Sequence, residues 1–186
     1  MSVPQSYSML DISGKYSFNK ALSDTDMAGT ILTHQVGEKL KQKAVTVMSD
    51  STVSLKHYKD ADGIERIEIQ HHVADHPPRS LAQILTWTEQ TSESPLFGKI
   101  VTKERRVKTS ELDDNYLQSG WTADSIEEGV IQVDMRSAAN TQWTLSQVWG
   151  IEEINGARHH VRRTKFTGGD GNILHARLVF DYIGPL

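Results

Sequence analysis

Cysteine is absent from this 186-residue chain, which excludes a disulfide framework and a thiol nucleophile. No apolar run approaches the roughly 18–20 residues that span a bilayer. Residues Met1 to Leu10 are polar and lack the basic start and apolar stretch of a signal peptide. The expectation is therefore a cytoplasmic protein with no membrane span. Positive charge is in deficit: a net charge of −4 gives no overall field to attract nucleic acid or an anionic membrane. The basic run Lys103–Lys108 reads as a solvated strand end rather than a phosphate site. No serine sits in a nucleophile-elbow context and no glycine loop is placed to cradle phosphate, because Gly168-Gly169-Asp170-Gly171 has no helix after it. Internal repeats and low-complexity segments are also missing.

What is present is alternation. The last third reads as four consecutive strands, Gly129–Arg136, Gln142–Glu152, Arg158–Phe166 and Ile173–Ile183, the last three joined by Asn155-Gly156 and the Gly168–Gly171 break. Tight hairpin turns need positive φ, so these dipeptides are strong hairpin signals. Upstream, Gly14–Phe18 opens a first strand, and Ser23-Asp24-Thr25-Asp26 offers oxygens and acidic charge for a helix start. Val36, Leu40, Ala44 and Val47 recur at helical spacing, while Gly29 and Gly37 argue for two short helices meeting near His34–Gly37. From residue 51 the period becomes two, with Val53, Leu55 and His57 on one face and Ile67, Ile69, His71 and Val73 aligned after the Asp60–Gly63 turn. Pro77-Pro78 breaks pairing, and Leu81–Glu89 and Phe97–Lys108 form a further pair. Ser110–Glu128 is polar and acidic around Trp121, a long loop or short helix of the kind that is often functional.

Residues 1–11 read as a flexible arm and 12–186 as one all-β domain: an antiparallel up-and-down β-barrel of about 8–10 strands with a helix-turn-helix after the first strand. Such a barrel can hold a small molecule. Its best wall is Gln142–Glu152, where Trp143, Leu145, Gln147, Trp149 and Ile151 alternate onto one face. The π-faces suit a flat ligand and the Gln147 amide suits its carbonyl or hydroxyl; the plainer reading makes the tryptophans core. Neighbouring strand residues point to opposite faces, so one of Arg162 and Arg163, and one of Arg105 and Arg106, can face the cavity and orient an anionic ring oxygen or else cap the barrel end; Arg163 is the candidate. Gln147 and Arg163 are the candidate catalytic residues. Trp143, Leu145, Trp149, His57, His71 and Tyr16 are the candidate substrate-binding residues. The eight histidines include no His-x-His, and adjacent ones diverge, so no metal site is expected.

Gly14-Lys15-Tyr16, a helix-turn-helix and then only hairpins resembles the calycins, and among them the intracellular fatty-acid-binding proteins. Val36–Ala44 resembles their second lid helix. The Arg-x-Tyr with which such proteins hold a carboxylate has no counterpart: Arg177 is followed by Leu178 and Val179. The chain more closely resembles small calycin-like proteins of fungal natural-product clusters. That resemblance is carried by Ile12–Tyr16 with Leu22-Ser23-Asp24, Leu85-Thr86-Trp87, Leu96–Lys99, Gln147–Gly150 and Arg177–Tyr182. Some of those proteins are hetero-Diels–Alderases that join a tropolone-type quinone methide to a sesquiterpene such as humulene. The resemblance implies a cofactor-independent cyclase acting on a hydrophobic or aromatic small molecule, as a monomer or homodimer. A non-catalytic lipid or terpenoid carrier fits the same barrel and remains open beside it.

Overall fold

The structure, a computed structural model, describes residues 2–38, 52–73, 78–94, 97–138 and 143–186. It is all-β, as expected: ten antiparallel strands form a single curled sheet in the order β4-β3-β2-β1-β10-β9-β8-β7-β6-β5. The strands are β1 (Gly14–Phe18), β2 (Thr52–Lys59), β3 (Glu65–His72), β4 (Arg79–Ile84), β5 (Gln90–Ser94), β6 (Gly98–Val107), β7 (Val130–Ser137), β8 (Trp143–Ile154), β9 (Ala157–Gly168) and β10 (Ile173–Gly184). The helices are α1 (Thr25–Val36) after β1, and α2 (Asn115–Gln118) and α3 (Ala123–Glu128) between β6 and β7. The second lid helix expected over Leu40, Ala44 and Val47 lies outside the described residues, as do Pro77 of the Pro-Pro break and Gln142. No helix among the described residues is long and apolar enough to cross a membrane.

Local chemistry explains the strand connections. Asn155 and Gly156, at φ 53° and 75°, make the two-residue turn that pairs Ile154 with Ala157 and so sets the whole β8–β9 ladder. Between β2 and β3, Asp60 Oδ1 accepts from the backbone N–H groups of Asp62 (3.0 Å) and Ile64 (2.9 Å), and its other oxygen takes the Arg66 guanidinium. One expected pairing differs. Leu81–Glu89 does not run along Phe97–Lys108; β4 stops at Ile84, and Gln90–Ser94 forms a separate strand on β6. The break comes at Trp87, held at φ 59°, where only its backbone N–H reaches the Glu104 carbonyl, at 2.7 Å. The Trp87 ring stays outside, with Lys103 and Arg105 at 4.1 and 4.2 Å from its centre, while Leu85 turns into the core.

The sheet curls far enough that β2 and β3 pack against β7 and β8 across one interior. Val53, Leu55, Ile67 and Ile69 share a cluster with Ile131, Val133, Trp149 and Ile151. The N-terminal arm completes this floor. Val3 and Met9 are buried in it, and the arm is tied down by Val3 N–H to the Arg158 carbonyl (2.7 Å) and by Arg106 Nη2 donating to the Met9 carbonyl (2.7 Å). At the other end of the strands, Ile31 of α1 packs with Ile100, Trp143, Leu145, Phe166 and Ala176 as a roof. A third cluster lies on the outer face, where Leu117 and Trp121 from the α2–α3 segment cover Val130, Val148, Val161 and Val179. The Ser110–Glu128 excursion is thus a short-helix cap on the sheet. Burying side chains of this size contributes about 1.5–3 kcal/mol each, which is why so polar a segment stays docked.

Candidate functional site

Directly opposed residues of an antiparallel pair share a face, so the ladders show what lines the interior. Trp149 opposes Arg162, Ile151 opposes His160, Gln147 opposes Thr164 and Leu145 opposes Phe166. On the next strand Leu178 opposes Arg162 and Phe180 opposes His160. Across the sheet, Glu104 opposes Val133 and Thr102 opposes Met135. Floor and roof are therefore separated by a band of polar side chains: Gln147, Arg162, Thr164, Glu104 and Thr102. Several inward positions at this level, among them Gln147, Arg162, Leu178 and Phe18, are only half-buried, whereas Trp149 below and Phe166 above are sealed.

Arg162 is the centre of this band. Its guanidinium lies 3.9 Å from the Trp149 ring centre and 4.7 Å from that of Phe180. Nε donates to His160 Nε2 at 3.3 Å. Nη2 is buried and has no hydrogen-bond partner among the described residues. Burial pushes the guanidinium pKa down, to about 9, so the group still carries its charge at neutral pH. His160 is neutral. Burial first, and the Arg162 charge second, hold its pKa well below 6.5; with Nε2 accepting, its proton sits on Nδ1. The Tyr16 ring lies 5.2 Å away from His160.

Gln147 holds the neighbouring tryptophan. Its Oε1 accepts from Trp149 Nε1 at 2.8 Å and its Nε2 donates to Thr164 Oγ1 at 3.0 Å. One amide N–H remains for a ligand. Glu104 brings the opposite property from β6: its pKa is raised by burial, against a hydrogen bond with Thr102 that acts the other way. Its Oε2 has no hydrogen-bond partner among the described residues. A buried carboxyl of this kind is held towards its neutral, proton-donating form.

The remaining sequence candidates fall elsewhere. Arg163 is turned to the outer face, where it donates from Nε to Glu152 (2.5 Å) and from Nη1 to the Tyr116 carbonyl (2.9 Å); it anchors the α2 cap, and the interior arginine is its neighbour. Trp143 and Leu145 belong to the roof, with Trp143 stacked on Phe166 at 6.3 Å. Trp143 also lines a hollow of about 320 Å³ beside His34 and the Gly168–Asp170 turn. His57 is in the floor. Its Nδ1 accepts from the Ile12 backbone N–H (3.3 Å), so Nε2 carries the proton and donates to Glu65 at 2.7 Å. Burial alone would raise the Glu65 pKa, but its bonds from His57 and Arg106 win and hold it at about 2. His71 opposes Val53 at the half-buried end of β3. Tyr16 is sealed, its hydroxyl donating to the Ile12 carbonyl at 2.9 Å. A second groove, about 350 Å³ on the outer face of β6–β9, is polar, and its cations already have partners: Arg136 with Glu89 (3.1 Å), Lys165 with Asp114 (3.5 Å) and Lys103 with Asp134 (4.0 Å).

This arrangement, an apolar floor and roof around an aromatic-stacked cation, can hold an oxygen-bearing hydrocarbon and fix its orientation. Over its whole length the chain is similar to proteins named as pericyclases. It is 28% identical to Pericyclase pydY of Acremonium sp, over 100% of this chain and 98% of that protein. It is 27% identical to the probable pericyclase scpY of Mollisia scopiformis, over 99% of this chain and 96% of that one. No family profile matches the chain.

Proposed function

We propose that this protein is a pericyclase-type cyclase whose reaction chamber is the interior of the curled sheet. The carrying observation is Arg162, a half-buried cation stacked on Trp149 with its Nη2 enclosed, and with Gln147 and Thr164 beside it between two apolar ends. End-to-end similarity to the two pericyclases supports the reaction class. A pericyclic step moves electrons in a ring and calls on no nucleophile. What accelerates it is a fixed mutual orientation of the reacting π-systems, worth up to roughly 7–11 kcal/mol. A donor aimed at oxygen that gains negative charge adds about 3 kcal/mol. The apolar ends supply orientation, and Arg162 with the spare Gln147 N–H supplies polarisation.

The finer reading is a hetero-Diels–Alder addition of a tropolone-type quinone methide to a humulene-like sesquiterpene, a proposal that rests on the sequence resemblance. It is tested by generating the quinone methide from a hydroxymethyl tropolone in the presence of humulene, with and without protein, and comparing adduct yield and stereochemistry. Gln147→Leu should slow adduct formation far more than it weakens binding of the precursor. Equal losses would favour a carrier of lipids or terpenoids, and identical yield and stereochemistry without protein would sink this reaction.

A further inference from the structure

The arginines on the strands around Arg162 have counter-charges. Arg136, Arg158, Arg163 and Arg177 lie 3.1, 2.6, 2.5 and 3.6 Å from Glu89, Asp124, Glu152 and Glu152 respectively. Arg162 has neither a carboxylate nor a carbonyl oxygen among the described residues. Its contacts are two ring faces and a neutral imidazole, and Nη2 is buried without a partner. Enclosing a charge in this way is costly unless it is paired, and ring faces return only part of that cost. Glu104, the inward carboxyl on β6, is held towards neutrality and has Thr102 as its partner, so it does not supply the missing charge.

Resting on the cyclase reading, we infer that the chamber takes its substrate as a delocalised oxyanion, an enolate-type conjugated oxygen that pairs with Arg162. A single guanidinium with Nε already engaged leaves a narrow donor edge. That edge suits one or two adjacent oxygens on a flat π-system, which can extend the Trp149–Arg162 stack. A phosphate would call for further cations, and the other described inward positions of the band provide no second positive charge: Gln147, Thr164, Thr102 and Leu178 are uncharged. The anion would enter with the charge spread over the atoms that react, so pairing with Arg162 sets which end of the π-system meets its partner.

The test uses tropolonate, a flat conjugated oxyanion, against its neutral analogue 2-methoxytropone, titrated calorimetrically into the full chain above the tropolone pKa. The wild type should bind the anion about tenfold or more tighter than the ether, as for a charge-assisted pair. Arg162→Gln should erase that preference, and Arg162→Lys should restore part of it. Lowering the pH through the tropolone pKa should weaken binding to the wild type and not to Arg162→Gln. Equal affinity for anion and ether, or no binding of tropolonate, overturns the inference. The cyclase reading is scored separately by adduct formation: anion-selective binding without acceleration removes the cyclase, while acceleration that survives Arg162→Gln removes the ion pair.

Discussion

Replacing Arg162 with methionine should make the protein more stable and less active. Burial lowers the guanidinium pKa from its ordinary value to about 9, which at about 1.4 kcal/mol per pKa unit is a cost of roughly 5 kcal/mol for keeping the charge inside. The contacts with Trp149 and Phe180, at 3.9 and 4.7 Å, return about 1–2 kcal/mol each. The hydrogen bond to His160 Nε2 returns about 1 kcal/mol more. Methionine fills a similar volume with no charge and adapts to irregular space. The net gain is about 0–2 kcal/mol, which for a chain of this size raises the midpoint of thermal unfolding by up to roughly 8 °C. Calorimetric melts at neutral pH measure it, alongside adduct formation by the same preparations. A lower melting temperature in Arg162→Met would refute the reasoning, since it would make the guanidinium a pin joining Trp149, His160 and Phe180 rather than a charge held for a ligand.

Other consequences follow from the packing and from the buried Glu104 carboxyl. A Cβ on Gly150 would overlap the Trp121 ring, so Gly150→Ala should destabilise the fold by about 1–3 kcal/mol; denaturant melts check this, and an unchanged midpoint would mean that the cap shifts freely. Glu104 has a folded pKa above its ordinary 4.5, so the folded state keeps a proton that the unfolded chain releases as pH rises from that value. Stability is therefore lost through that window, and Glu104→Gln should gain on the wild type from acid towards neutral pH. Parallel stability curves for the two proteins would show that the carboxyl is not held neutral.

The β8 wall was legible because its period of two is unbroken and its faces differ in chemistry: Leu145, Gln147, Trp149 and Ile151 do share the inward face. The choice between Arg162 and Arg163 was legible in principle as well. A two-residue Asn155-Gly156 turn pairs Ile154 with Ala157, and counting back along both strands places Arg162 opposite Trp149. Facing arginines cannot be chosen by composition; they are chosen by that register. Glu104 had no such marker, because a long helical connection rather than a tight turn links β6 to β7 and fixes no register from sequence. Gly150 gave no sign either, since its need for a missing side chain arises only when Trp121, distant in sequence, lies against it. Between β4 and β6, the left-handed backbone at Trp87 is uncommon for an aromatic residue, and local pattern alone predicts a continuous strand there.

The floor of the interior is built partly from residues that belong to no strand. Val3, Met9 and Ile12 fill it, and Arg106 and Arg158 fasten the arm from the sheet by donating to the Met9 and Tyr7 carbonyls. Depth is thereby uncoupled from the hydrogen-bonded frame. Changing the bulk of the arm residues would raise or lower the floor without moving a single ladder bond, so this end of the interior can be rebuilt on one unchanged set of walls.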